Sequence, residues 1–120
     1  MQDDTRKHLM DILHAAEEIK EFTKDMDIHA YSESRVTQRA VERGFEIIGE
    51  ALNRIKKIDE TVLLSISEHQ RIIGFRNILI HGYDIVDAKI VWDAIKNHLP
   101  LLQSEAQKIL KQITLYTENV

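Results

Sequence analysis

The chain has 120 residues, enough to bury one hydrophobic core and too few for two, so residues 1–120 are expected to form a single domain. With no cysteine it can hold no disulfide, thiolate metal site or cysteine nucleophile, and no stretch approaches the roughly 18 continuous apolar residues of a membrane span. The net charge of −4 argues against a protein that coats nucleic acid over its whole surface, yet residues 1–27 hold four Lys and Arg against eight acids, whereas residues 35–57 hold six against three.

Four glycines and one proline among 43% hydrophobic residues favour long helices over the many turns of a sandwich or barrel. From about Thr5 to Lys24, Leu9, Ile12, Leu13, Ala16, Ile19 and Phe22 recur at helical steps and predict a first helix. Residues 26–34 break the pattern, and Ser32 or Ser34 can cap the next helix by accepting a bond from a first-turn amide. That second helix runs to about Ile58 on a stripe of Val36, Ala40, Val41, Gly44, Ile47, Ile48, Ala51, Leu52 and Ile55, with Arg35, Arg39 and Arg43 one above another beside it.

A connection with a helical turn around Thr61–Leu64 leads to Ser65-Ile66-Ser67-Glu68, which fits a capping box, so a third helix is expected from about Ser67 to His81 with Gly82 ending it. Asp84 or Asp87 can cap a fourth, whose Val91, Trp92, Ile95, Leu99, Leu102, Ala106, Leu110 and Ile113 keep helical spacing past Pro100. A proline there removes a hydrogen bond and crowds the preceding turn, so this helix should be kinked or split near Pro100. The expected fold class is all-α, an antiparallel four-helix bundle.

Arg76, Asn77, His81 and Tyr83 are crowded around the end of the third helix. Asn77 and His81, four apart, share a face; Arg76 and His81, five apart, differ by about 140° at ~100° per residue. Those two converge on one substrate only if the helix end unwinds at Gly82 or if the partner residue comes from a second chain. Each residue also has a purely structural use: Arg76 in an ion pair, Asn77 on a loop backbone, His81 at the helix C-terminus, and Tyr83 packed with its hydroxyl exposed.

The run Ile72-Ile73-Gly74-Phe75-Arg76-Asn77-Ile78-Leu79-Ile80-His81-Gly82-Tyr83 resembles the Arg-x4-His-x-Tyr signature of HepT-like HEPN ribonucleases. Phe45-Glu46-Ile47-Ile48-Gly49-Glu50-Ala51 resembles the second helix of that family, and Val86-Asp87, Val91-Trp92 and Leu99-Pro100 its final helix. His69 departs from the pattern, standing where such proteins often carry tryptophan. The resemblance implies an endoribonuclease toxin acting on RNA as a homodimer, with both motifs facing one cleft. It also implies a minimal nucleotidyltransferase antitoxin that attaches AMP to Tyr83. Arg76 and His81 would be catalytic, with Asn77 and Tyr83 supporting them.

Metal-independent RNA cleavage needs a base for the ribose 2′-hydroxyl, a cation at phosphorus and an acid for the leaving oxygen. Histidine as a residue type can be base or acid near neutral pH, and arginine matches phosphate oxygens with paired donors. One motif supplies one histidine, whereas two copies would supply both proton-transfer groups. The stripe of Arg35, Arg39 and Arg43 is either a solvated helix face or an RNA-binding surface that tracks phosphates.

Other chemistries find little footing. The six histidines include no pair three or four apart, so no metal is expected, and no cofactor-binding motif is present. There is no Gly-x-Ser-x-Gly elbow and no phosphate loop. Lacking an apolar leader behind a basic flank, the protein is expected to be cytoplasmic. The rival readings are a non-catalytic helical adaptor or nucleotide-binding partner of a nucleotidyltransferase, and a four-helix dimerisation module.

Overall fold

A computed structural model describes residues 2–81 and 86–118 of the chain. These residues are almost entirely helical, and no strand occurs among them. Helix α1 (Gln2–Thr23) buries Leu9, Ile12, Ala15, Ala16 and Ile19. The Thr23 hydroxyl donates back to the Ile19 carbonyl at 2.9 Å, while Phe22, expected on the apolar face, is largely exposed.

The break expected over residues 26–34 contains a short helix, α2 (Ile28–Glu33), capped by the Asp27 carboxylate, which accepts from the Ala30 amide at 2.8 Å. It buries one large side chain, Tyr31, whose ring packs 5.4 Å from that of Trp92. Ser34, rather than Ser32, caps α3 (Arg35–Ile58) by accepting from the Thr37 amide. The buried Gln38 amide donates to the carbonyls of Tyr31 and Ser32, both at 2.9 Å, and so joins α2 to α3.

The buried stripe of α3 is Gln38, Val41, Phe45, Ile48, Leu52 and Ile55, alternating steps of three and four residues. Val36 does not belong to it: it is 83% exposed, because five residues before Val41 its side chain points about 140° off the buried face. Asp59 ends α3 and caps α4 (Glu60–Leu64), the helical turn expected there.

Helix α5 (His69–Ile80) begins two residues later than the serine pattern suggests. The expected capping box does not form, because the Ser65 hydroxyl donates back to the Thr61 carbonyl at 3.2 Å at the end of α4; the Ser67 amide and hydroxyl both donate to Glu105 Oε1, at 3.1 and 2.9 Å, binding the α5 entry to the last helix. Asp87 caps α6 (Ala88–Asp93) through the Lys89 amide, whereas Gly82 and Asp84, expected to end one helix and start the next, lie outside the described residues.

The kink or split expected near Pro100 takes the form of a π-helical turn, Ala94–His98, joining α6 to α7 (Leu99–Glu118). The Leu99 amide reaches back five residues to the Ala94 carbonyl. A wide turn immediately before the proline makes room for a ring that would crowd the carbonyl four residues back in an α-helix.

Helix α1 runs antiparallel to α3, with Ile19 against Gly44 and Lys7 and His8 across a groove from Glu50 and Arg54. It also runs antiparallel to α7, where Gln103 donates to Glu17 while Lys96 and Pro100 share a cleft with Lys20 and Lys24. Helix α5 lies on the other side of α3, with the Phe45 and Phe75 rings edge to face at 5.2 Å. His98, on the π-helical turn, has its ring nitrogens 3.0 Å from Glu68 and 3.2 Å from Asp93, bracing the start of α5.

Candidate functional site

Arg76 leaves α5 toward α3, and two residues of α3 receive it. Gly49 accepts the aliphatic stem: a Cβ there would overlap the Arg76 Cβ and lie 2.7 Å from its Cγ. The next residue, Glu50, takes the charge, with Oε2 2.6 Å from Arg76 Nη2. Glu50 Oε1 lies 3.3 Å from Arg54, one helical turn on, so a single carboxylate serves two guanidinium groups. Arg76 Nη1 donates to Asn77 Oδ1 at 3.1 Å. Its side chain retains 21% exposure, enough to meet a ligand without being free to swing.

That guanidinium borders a groove of about 470 Å³ between α1, α3 and α5, whose lining includes Lys7, His8, Arg43, Glu50 and Arg54. Arg43 pairs with Glu46 at 3.3 Å, and Lys7 with Asp11 at the same distance. The groove therefore carries both signs of charge, with arginines on two sides.

His81 stands elsewhere. It is exposed at the C-terminal cap of α5, and its amide still donates to the Asn77 carbonyl at 3.2 Å. Helical winding thus continues as far as His81, while Gly82, where unwinding was one of the two routes by which His81 could meet Arg76, lies outside the described residues. Side chains five apart on a wound helix diverge by about 140°. Asn77 turns its oxygen to Arg76. Tyr83 lies outside the described residues.

Of the arginine stripe, Arg43 alone lines the groove beside Arg76; Arg39 and Arg35 are exposed farther toward the start of α3, where Arg35 donates to Gln38 at 3.1 Å. Burial raises the Glu42 carboxyl above its ordinary value, against the opposing pull of Arg39 and Arg35. Sequence reasoning did not single out Gly49, Glu50, Arg54 or His8 as site residues. The spacing of Glu50 and Arg54, one turn apart, was visible, whereas the approach of Arg76 from 26 residues away was not. Among the described residues no group of three or more His, Asp or Glu is placed to hold a metal ion, and no helix is long and apolar enough to cross a membrane.

Residues 12–109 match the family model described as ribonuclease HepT-like. A putative RNase of Methanocaldococcus jannaschii is 36% identical over 110 residues, 92% of this chain and 94% of its own length. A probable ribonuclease HepT of Thermococcus cleftensis is 34% identical over 106 residues, covering 88% and 96%. A putative RNase of Caldanaerobacter subterraneus is 32% identical over 107 residues, covering 89% and 95%. No solved structure gives a significant match. With most of its length matched by the family model and by relatives of nearly equal size, the chain belongs to the HepT-like ribonuclease family.

Proposed function

We propose that the protein is a toxin that cuts RNA without a metal ion, using Arg76 and His81 in a cleft shared by two copies of the chain. The observation that carries this reading is the placement of the motif on α5 in a member of a ribonuclease family. Arg76 is anchored at a groove, while His81 is exposed about 140° around the same wound helix. Two copies facing each other bring two arginines and two histidines to one substrate. The exposed Ile78 on α5 and Ile90 on α6 border one shallow cleft with Phe75 and leave apolar surface for a second copy to cover.

In the reaction, His81 of one copy takes the proton from a ribose 2′-hydroxyl and the 2′-oxygen attacks phosphorus. The bond to the 5′-oxygen breaks as the second histidine, arriving protonated, gives that oxygen a proton. The products are a 2′,3′-cyclic phosphate and a free 5′-hydroxyl. Arg76 stabilises the charge that builds on the phosphoryl oxygens, and Arg35, Arg39 and Arg43 extend the phosphate path along α3. Asn77 holds the arginine, and Tyr83 stacks on a base or contacts the phosphate.

A minimal nucleotidyltransferase antitoxin silences the site by attaching AMP to Tyr83, which adds negative charge and bulk where the substrate phosphate must lie. The resemblance of the motif and the nearness of Tyr83 to His81 in sequence support this step.

The test is cleavage of total cellular RNA by purified protein in EDTA. The parent chain should cut, and His81→Ala and Arg76→Ala should each lose at least a hundredfold, on the order expected for removing an acid-base group or a charge-stabilising donor. Tyr83→Phe should still cut but no longer be silenced by nucleotidyltransferase and ATP. RNA binding that survives in His81→Ala, with no cleavage by the unmodified parent, would instead favour the non-catalytic adaptor.

A further inference from the structure

Glu50 is an acid at a site that should attract phosphate, and the geometry around it is specific enough to ask why it is there. We propose that Glu50 is the positioning residue of the ribonuclease centre: it fixes the guanidinium of Arg76 for the phosphate while sharing its second oxygen with Arg54. The proposal rests on the function given above and deepens it.

An unrestrained arginine loses rotamer entropy when a ligand fixes it. Here the restraint is already built. Gly49 offers the stem a seat that any side chain would fill, and Glu50 Oε2 grips Nη2 at 2.6 Å, the short contact of a charge-assisted bond. The Glu50 carboxylate stands in the wall of the groove with its two oxygens engaged by Arg76 and Arg54. One acid between two guanidinium groups leaves a net charge of +1, with donors remaining on both arginines. A phosphate thus meets a fixed cationic pair, and Glu50, which would repel it, acts only through Arg76.

This arrangement predicts a particular kinetic signature. Removing Glu50 leaves Arg76 charged and able to bind phosphate, but no longer aimed at the charge that develops during attack. Turnover should fall while ground-state binding holds or tightens, because a like charge has left the groove.

The experiment measures kcat and KM for a fluorogenic RNA oligonucleotide in EDTA, binding of a 2′-O-methyl oligonucleotide that cannot be cut, and the ¹⁵N-resolved guanidinium NMR signals of Arg76. Parent, Glu50→Ala and Glu50→Gln chains are compared, the last retaining shape and one acceptor. Glu50→Ala should lower kcat about tenfold to a hundredfold, the scale of a misplaced catalytic group. KM and binding should be unchanged or tighter, and the slowly rotating Nη signals of Arg76 should collapse. Glu50→Gln should recover most of the lost turnover.

Unchanged kcat, or turnover and binding falling together in step with the melting temperature in both variants, overturns the proposal. So do Arg76 signals that stay restrained in Glu50→Ala. A parent chain that cuts no RNA overturns the ribonuclease reading and this role with it, which separates that failure from a parent that cuts with the Glu50 variants unaltered.

Discussion

Tyr31 is fully buried against Trp92, and its hydroxyl has no hydrogen-bond partner among the described residues. Burial, helped by the charge of Glu42, pushes its phenol above the ordinary tyrosine range, so the ring stays neutral at any physiological pH. An unpaired buried hydroxyl loses its bonds to water without replacing them, at a cost of about 1–3 kcal/mol. Tyr31→Phe keeps the ring packing and should leave stability unchanged or raise it by about 1 kcal/mol in urea unfolding, whereas a clear loss would reveal a partner for the hydroxyl. Glu42 gives a second prediction, on pH. Its folded value lies above the ordinary 4.5, so the stability linked to its protonation is complete below the unfolded value and is lost as pH rises through the folded one. Glu42→Gln should therefore raise the urea midpoint relative to the parent at pH 7, and the difference should close on acidification below about 4.

At the level of the helix, two glycines separate packing from propensity. Gly49 is seated against Arg76, so Gly49→Ala gains about 1 kcal/mol of helix propensity but must push α5 away from α3, an overpacking cost of about 1–3 kcal/mol. A net loss of stability with reduced cleavage is expected. A Cβ at Gly74 on α5 would meet nothing within 4 Å, so Gly74→Ala should stabilise the isolated chain by about 0.8–1 kcal/mol, and thermal unfolding of both variants checks the contrast. The same division governs what the sequence discloses. Helices α1 and α3 were legible because long buried stripes recur at three- and four-residue steps and Ser34 caps locally. Helix α2 was not, since six residues with one buried side chain set no period. The start of α5 lies beyond the serine pattern because Ser65 stays bonded to Thr61 of α4 and Ser67 bonds to Glu105, 38 residues on, so neither caps α5. In the site, Arg76 and His81 stood out through their resemblance to a known motif, and their spacing alone pointed them apart. Gly49 and Glu50 gain meaning only when α5 crosses α3.

The described residues span about 51 × 29 × 20 Å and leave His81 exposed at the C-terminal cap of the short α5, next to Ile80 but not itself in the lining of the groove that holds Arg76. A reaction needing both a base and an acid from histidines of this motif then has one such group per chain, and the number of copies becomes a kinetic variable. If one cleft uses both histidines, a mixed pair of one parent chain and one His81→Ala chain lacks either the base or the acid. Adding excess His81→Ala protein to a fixed amount of parent, with time for the copies to exchange, should then lower activity per parent chain at least tenfold, since each proton-transfer group contributes about 10²–10⁴-fold. If each chain carried a complete site, or if each site took its arginine from one copy and its only histidine from the other, every parent chain would keep one working site and activity per parent chain would not change. Titrating the variant against RNA cleavage, with light scattering to follow pairing, distinguishes these cases. Poisoning would place both histidines in one cleft, and a flat titration would remove the two-histidine mechanism while leaving the role of Arg76 standing.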